Sequence, residues 1–210
     1  TGMLLREIAV CLSMAVYNRK HLINTEAMAL TDSLTGIANR MSYKQDSRAI
    51  VEEETEGLAC IYVDVNELHY FNNKYGHAAG DEMLICIANS LKEVFFGQYI
   101  YRMGGDEFLV FAKKIPQETI KQSIETFVQQ IKTKDYNVAI GISYRNRNVN
   151  CEEMVREAEV RMYEAKAQYY HEKEKKNISQ MDDNGYVHTK TGILEIDAMI
   201  SVLNENYNGI

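Results

Sequence analysis

Several residue types are scarce in this sequence, and each scarcity excludes a class of protein. Tryptophan is absent and proline occurs once in 210 residues, and the composition as a whole argues against disordered, collagen-like and coiled-coil-only chains. Lys and Arg number 23 against 30 Asp and Glu, a formal net charge of −7, which argues against a surface that coats nucleic acid. With 46% hydrophobic residues, the chain has the composition of a folded domain with a buried core.

Cysteines and long apolar runs are also few. Cys11, Cys60, Cys86 and Cys151 lie far apart without a CxxC pair, so neither a zinc site nor a disulfide framework is predicted, and we interpret them as small core residues. The apolar run Ile8–Val16 is about half of the roughly 20 residues that a membrane span requires. We therefore expect a cytoplasmic location without membrane contact, either for the whole protein or for the cytoplasmic part of a larger sensor protein.

The spacing of apolar residues predicts the order of helices and strands. A long amphipathic helix over Leu5–Leu30 precedes the core, and a second helix begins at Asn39 and ends in the acidic residues 52–54. The core then follows as a strand at 58–63, a helix at 81–96, strands at 99–102 and 107–112, a helix after Pro116, a strand at 136–143 and a helix at 151–171. This βαββαβ order is the ferredoxin-like α/β (α+β) arrangement, a central antiparallel sheet flanked by helices.

The topology has a consequence for two aspartates. In the ferredoxin-like order the first and third strands are antiparallel neighbours, so Asp64, at the end of the first, meets Asp106, at the start of the third. Two carboxylates beside the Gly104–Gly105 turn suit Mg²⁺, and glycine permits both a close ligand and a positive φ. Taken alone, the same residues also fit an ordinary polar hairpin.

Three separated segments resemble one family. Residues 102–108, Arg-Met-Gly-Gly-Asp-Glu-Phe, match the signature turn of the GGDEF family of diguanylate cyclases. Residues 32–40 are similar to the family's DxLTGLxNR segment, and residues 75–81 are similar to its YGHxxGD segment. The resemblance covers residues 29–171, about two thirds of the chain, and the family's palm-like fold agrees with the predicted element order.

The resemblance implies an activity and a set of metal and catalytic residues. The family joins two GTP molecules into cyclic di-GMP and releases pyrophosphate, each monomer of an antiparallel homodimer holding one GTP. Carried over by position, Asp64, Asp106 and the Val65 carbonyl would hold Mg²⁺ or Mn²⁺, and Glu107 would be a second acidic group near the attacking hydroxyl. Such ions lower the pKa of the 3′-hydroxyl and neutralise phosphate charge.

The resemblance also implies substrate-binding residues. Asn72 and Asp81 would hydrogen-bond the guanine edge, and Gly104–Gly105 would leave room for the nucleotide. Lys166 matches a lysine that contacts phosphates, and His69 stands where a second phosphate-facing lysine is expected. These residues complete the predicted site.

The sequence departs from the family pattern beside this site. Asn66 and Asn73 replace aspartates, Leu68 replaces an aromatic residue, His69 replaces a lysine and Tyr170 replaces an arginine. Each lost charge-assisted contact is worth about 1.5 to 3 kcal/mol. Two alternatives to an active cyclase therefore stay open: a catalytically weak or inactive module that binds GTP or cyclic di-GMP and regulates a neighbouring domain, and a pure dimerisation module.

The flanking segments and the control of the enzyme complete the expectations. We expect a signalling or stalk helix over residues 1–30, a GGDEF domain over 31–176 and an extension over 177–210, with an upstream sensor domain in the full-length protein. The charged stretch 171–176 is most simply a solvated helix end. The family's RxxD product-inhibition segment is replaced by Phe95–Gln98, so we predict no feedback by cyclic di-GMP through that segment.

Overall fold

The computed structural model of the protein describes residues 12–19, 29–52, 57–147 and 149–179. A helical stretch covers residues 12–19, inside the predicted N-terminal helix; residues 1–11 and 20–28 of that segment lie outside the described ranges, as does the extension from residue 180 onward. The elements that follow are β1 Ala38–Asn39, α1 Arg40–Glu52, β2 Leu58–Val65, α2 Leu68–Tyr75, α3 His77–Val94, β3 Tyr99–Gly104, β4 Glu107–Lys113, α4 Gln117–Lys132, β5 Val138–Arg145 and α5 Cys151–Ser179.

The strands form one five-stranded sheet in the order β1-β3-β4-β2-β5. β2 pairs antiparallel with β4 on one side and with β5 on the other. β3 and β4 form the hairpin predicted at the Gly-Gly turn, and the two-residue β1 pairs parallel with β3. The pairing of β2 with β4 confirms the central neighbours expected from the element order, and β1 makes this α+β sheet mixed.

Helices cover both faces of the sheet, and β2 is buried along its whole length as a result. Ile61 and Val63 belong to the core cluster formed with α3 and α4, whereas Cys60 and Tyr62 belong to the cluster formed with α1 and α5. Successive residues of a strand point to opposite faces. Asp64 therefore continues the Cys60 and Tyr62 face, toward α5.

Helix α5 lies directly against β5 at Gly141. A Cβ atom at this position would lie 1.8 Å from the carbonyl oxygen of Ala158 and 2.4 Å from the backbone nitrogen of Met162. Only glycine permits such a close approach of two backbones. The contact fixes α5 over the sheet and so determines where Lys166, about one turn beyond Met162, lies.

Three elements differ from the prediction. The segment predicted as a polar loop before residue 81 contains α2 and the first turn of α3; α2 includes Asn72 and Asn73, which favour turns, and none of its residues is fully buried, so its apolar pattern is weak. β1 is too short for a periodic signal. α5 continues to Ser179 instead of ending near residue 171.

Two features bear on the composition-based expectations. Within the described ranges, no helix combines the length and the apolar character needed to cross a bilayer. Cys60 and Cys151 are buried free thiols in the core, which agrees with their interpretation as small core residues, whereas Cys86 is only half-buried and Cys11 lies outside the described ranges.

Candidate active site

Three carboxylates lie at one end of the β2–β4 pair: Asp64, Asp106 and Glu107, which we call the carboxylate edge. Asp64 stands directly opposite Glu107 in the antiparallel register. The backbone nitrogen of Val65 donates a hydrogen bond to the carbonyl oxygen of Asp106 at 3.0 Å. The sheet thus brings Asp64 and Asp106 to the same edge, as the element order predicts.

Asp64 is the buried member of the carboxylate edge, with 3% of the residue exposed. The ammonium nitrogen of Lys166 on α5 lies 2.6 Å from its Oδ1. The contact is an ion pair without good hydrogen-bond geometry, since Oδ1 accepts no well-oriented hydrogen bond from the residues described. One ammonium therefore faces an edge of three carboxylates.

The electrostatics of this pair reflect that imbalance. Burial raises the pKa of Asp64 to about 6; Lys166 opposes the rise, and the charges of Asp106 and Glu107 add to it. Burial lowers the pKa of Lys166, but Asp64 and Asp106 outweigh burial, and the pKa lies above its usual value. Lys166 therefore stays protonated, and the edge keeps an excess of negative charge.

The turn between β3 and β4 is open on its glycine side. A Cβ atom on Gly105 would meet nothing within 4 Å, and one on Gly104 would lie 3.6 Å from Oε2 of Glu107. Neither glycine has a positive φ, so the positive φ that we expected is absent. The glycines matter here because they leave space where a side chain would lie. Arg102 braces the turn: Nε and Nη2 donate to the Gly105 carbonyl at 3.2 and 2.6 Å, and Nη1 donates to Oδ1 of Asp32 at 2.9 Å.

The amide of Asn72 on α2 packs against Gly80 on α3. A Cβ atom on Gly80 would fall 1.9 Å from Oδ1 of Asn72, so only glycine leaves space for this amide. Oδ1 is buried, and no described residue donates a hydrogen bond to it. Asp81 follows Gly80 directly and is exposed. Buried acceptors without a partner are uncommon in proteins and mark places where a ligand or water fits.

The positions that depart from the family pattern have contacts of their own. Nδ2 of Asn73 lies 3.0 Å from Nε2 of His69, so His69 is engaged within α2 and not with the carboxylate edge. Asn66 is 3% exposed, and neither of its amide atoms has a hydrogen-bond partner among the described residues. Tyr170 is half-buried, with its ring edge-to-face against Tyr169 at 5.4 Å between centroids.

Three residues without a predicted role connect α5 to the turn after β2. Glu67 has a left-handed backbone conformation, φ 62°, immediately before α2. Its carboxylate accepts a hydrogen bond from the hydroxyl of Tyr169 at 3.1 Å and pairs with the ammonium of Lys173. We call Glu67, Tyr169 and Lys173 the Glu67 clamp. Residues 171, 172 and 175 of the stretch predicted as a solvated helix end are exposed. Lys173, whose side chain is 41% exposed, pairs with Glu67 in addition, and its spacing of one turn from Tyr169 is the signal for this cluster.

The donor set at the carboxylate edge fits one kind of metal ion. Across the described ranges, no three His, Cys, Asp or Glu side chains lie close enough to enclose an ion by themselves. Mg²⁺, however, is usually held by one or two carboxylates together with substrate phosphates. Asp64, whose Oδ1 accepts no well-oriented hydrogen bond, and Asp106 at the same edge supply those two carboxylates. The edge therefore suits a divalent cation that binds together with a phosphorylated ligand.

Curated proteins have sequences similar to that of this chain. Diguanylate cyclase DgcN of Escherichia coli K12 is 30% identical over 155 residues, which cover 67% of this chain and 38% of DgcN. Cyclic di-GMP phosphodiesterase PdeB of Shewanella oneidensis is 29% identical over 147 residues, which cover 65% of this chain and 17% of PdeB. The chain thus spans less than half the length of these relatives.

Solved structures share the fold of this chain. The coiled coil and GGDEF domain of DgcB from Caulobacter crescentus, solved in complex with c-di-GMP, superposes with a TM-score of 0.72 at 21% identity, covering 79% of this chain and 95% of that one. At this identity the likeness concerns the fold, a mixed sheet flanked by helices. The family model "Diguanylate cyclase, GGDEF domain" matches residues 29–172, more than half of the chain. The chain therefore belongs to the GGDEF family.

Proposed function

We propose that this chain is a metal-dependent diguanylate cyclase that joins two GTP molecules into cyclic di-GMP and releases two pyrophosphates. The observation that carries the proposal is the position of Asp64 and Asp106 at one sheet edge, beside the open space at Gly105. In each of two steps, a 3′-hydroxyl attacks the α-phosphorus of the other GTP, a P–O bond forms, and the bond to pyrophosphate breaks. Charge on the phosphates must be stabilised in both steps.

Asp64, Asp106 and the Val65 carbonyl would hold Mg²⁺ or Mn²⁺. When bound, the ion lowers the pKa of the attacking hydroxyl and neutralises phosphate charge. Asp64 is suited to this role because its pKa of about 6 leaves it ionised at neutral pH. Glu107, opposite Asp64 on β4, supplies a second acidic group near the attacking hydroxyl.

Asn72 and Asp81 would recognise guanine. The base presents N–H donors at N1 and N2, which pair with a carboxylate such as Asp81 and with an amide oxygen. The buried Oδ1 of Asn72 has no partner of its own, so a guanine donor would satisfy it. Gly80 supports this role because a larger residue would displace the amide.

The phosphates would be bound with fewer cations than the family pattern provides. Lys166 would contact them, and Gly104–Gly105 would leave room for them beside the edge. His69 is already engaged by Asn73, and Tyr170, a phenol that is uncharged at neutral pH, supplies no cation; burial raises its pKa further above the usual value. We expect weaker GTP binding than in a cyclase with a lysine and an arginine at these positions.

The reaction requires a homodimer because each chain would hold one GTP. We expect an upstream sensor domain that controls this pairing; the chain spans 38% of DgcN, so a longer protein of this kind has room for a further domain. The buried free thiols support a reducing compartment such as the cytoplasm. Phe95–Gln98 lacks the arginine and the aspartate of the family's RxxD segment, and the last position is taken by Gln98, whose Oε1 accepts a hydrogen bond from the backbone nitrogen of Lys113 at 2.8 Å. We therefore expect no product inhibition through that segment.

A second candidate function is a regulatory module that binds GTP or cyclic di-GMP without turnover. The observation that favours it is the loss of two cations, at His69 and Tyr170, from the predicted phosphate-facing positions. A relative named as a phosphodiesterase, PdeB, is also similar in sequence to this chain. Nucleotide binding without product formation would distinguish this candidate from the cyclase.

The deciding experiment is mass spectrometry of the products formed from GTP and Mg²⁺ or Mn²⁺ at high protein concentration. We expect cyclic di-GMP from the wild-type chain and from Glu118→Ala, a control that removes an exposed carboxylate on α4, and none from Asp106→Ala. Absence of product with GTP binding retained in calorimetry would favour the regulatory module. Absence of both would leave a dimerisation module.

A further inference from the structure

One carboxylate oxygen of Asp64, the residue that would hold a metal ion, is already in contact with Lys166. The ammonium nitrogen lies 2.6 Å from Oδ1 of Asp64, and the two side chains are 19% and 5% exposed. A carboxylate so far removed from water requires a counter-charge. Lys166 supplies that charge from α5.

The ammonium and a divalent cation exclude each other at Oδ1. Both carry positive charge, and at contact distance in a poorly hydrated site their repulsion is strong. The backbone of α5 cannot retreat, because Gly141 holds it against β5 at Ala158 and Met162. The four-carbon side chain of Lys166, by contrast, has several rotatable bonds and can swing to a new partner.

A bound triphosphate would offer that new partner. Its anionic oxygens attract an ammonium as strongly as a carboxylate does, so a nucleotide beside the edge would draw Lys166 away from Asp64 and free Oδ1.

We infer that Lys166 is the resident counter-ion of Asp64, and that it suppresses cation binding at the carboxylate edge until a polyphosphate draws it away. The inference rests on the proposed function and deepens it: the metal binds tightly only together with the nucleotide. Lys166 then has a positioning role in the free protein, separate from any contact with phosphate.

The test measures Mn²⁺ affinity in the absence of nucleotide, by electron paramagnetic resonance of free Mn²⁺. We expect Lys166→Met to bind Mn²⁺ about tenfold more tightly than the wild type, within the usual range of about 5- to 150-fold for coupled sites. Lys175→Met removes the same charge from an exposed position of α5 and should leave the affinity unchanged. Adding Asp64→Asn to Lys166→Met should abolish the gain.

Unchanged Mn²⁺ affinity in Lys166→Met, or an equal gain in Lys175→Met, would overturn the inference. If Lys166→Met fails to fold, Lys166→Gln serves in its place. A measurement on the wild type needs no substitution: saturating Mn²⁺ should expose the Lys166 amine, so its acetylation by acetic anhydride, followed by mass spectrometry, should rise severalfold relative to Lys175. No rise would contradict the inference.

Failure of the proposed function gives a different result. A wild-type chain that binds no Mn²⁺ even with the α,β-methylene analogue of GTP present would overturn both the cyclase and the inference. Binding of Mn²⁺ with the analogue, together with an unchanged Lys166→Met, would overturn the inference alone.

Discussion

Helix α5 supplies a lysine to each of two clusters: Lys166 pairs with Asp64 at the carboxylate edge, and Lys173, about two turns later, pairs with Glu67 in the Glu67 clamp. The two clusters balance charge differently. At the edge, one ammonium faces three carboxylates, and the ion pair is largely buried. At the clamp, Glu67 has both a hydroxyl and an ammonium as partners, and the Lys173 side chain is 41% exposed.

This difference in charge balance indicates that the carboxylate edge is a binding site and that the Glu67 clamp has a structural role. A buried carboxylate such as Asp64, with two further carboxylates beside it and one ammonium as partner, is costly to maintain and attracts a further cation. A partly exposed cluster whose charges are already paired contributes little to the free energy of unfolding and has no unpaired charge that would attract a ligand. The clamp therefore serves to hold the left-handed turn at Glu67, and the edge serves to bind.

The largest expected effect comes from adding cations on the phosphate side. Because each charge-assisted contact is worth about 1.5 to 3 kcal/mol, His69→Lys combined with Tyr170→Arg should tighten binding of a GTP analogue about 100-fold or more. Calorimetry with Mg²⁺ measures the change. Gln168→Arg adds one positive charge at an exposed position of α5 and serves as the control for Tyr170→Arg alone, so it should have little effect; an equal gain in the two single variants would show that general electrostatic attraction, not a contact at position 170, tightens binding.

The next effect tests the burial of Asp64 through pH. Since the raised pKa makes the folded protein hold a proton that the unfolded chain has released, the Asp64 contribution to stability is present below pH 4 and is lost as pH rises through 6. The loss amounts to about 3 kcal/mol. Urea unfolding of the metal-free protein should therefore show that the free energy of unfolding of Asp64→Asn increases relative to that of the wild type between pH 4 and 7. Parallel pH profiles would contradict the buried ion-pair description.

A smaller effect, at the turn between β3 and β4, distinguishes a role of Gly105 in ligand binding from a role in stability. Because a Cβ on Gly105 meets nothing within 4 Å, Gly105→Ala should change the free energy of unfolding by less than about 0.5 kcal/mol. The same methyl group should weaken binding of the GTP analogue about tenfold, since one methylene of mismatch in a site costs about 1 to 3 kcal/mol. Calorimetry and urea unfolding on one sample check both. Unchanged affinity would show that the nucleotide does not approach this turn.

The smallest effect concerns the clamp. An ion pair as exposed as that of Lys173 contributes at most about 1 kcal/mol, so Lys173→Met should lower the free energy of unfolding by no more than that amount and leave Mn²⁺ affinity unchanged. Lys175→Met provides the matched control on the same helix. A large loss of metal binding in Lys173→Met alone would remove the distinction between the two regions.

Much of the fold is predictable because it depends on patterns that extend over many residues. The apolar run at 58–63 and the element order place β2 beside β4, and hence Asp64 beside Asp106. Helix α2 is not predictable in the same way, since its eight residues include two asparagines and bury none fully. The two-residue β1 forms only because β3 is already in place to pair with it.

The site follows the same rule. Positions of Asp106, Gly104 and Gly105 follow from the hairpin, whereas the Lys166 contact with Asp64 depends on the packing of α5 at Gly141, which no local pattern encodes. The clamp depends on the left-handed backbone of Glu67, which is unusual for a glutamate. Contacts of this kind arise from tertiary packing and require the structure.

The central claim is that the carboxylate edge binds a metal ion together with GTP, and the most direct test is a crystal structure with Mn²⁺ and the α,β-methylene analogue of GTP, with the metal located by anomalous scattering. We predict an anomalous peak at about 2.1 Å from carboxylate oxygens of Asp64 and Asp106, guanine at Asn72 and Asp81, and the Lys166 ammonium on phosphate. A bound nucleotide with the Lys166 to Asp64 pair intact and no peak at this edge would contradict the account.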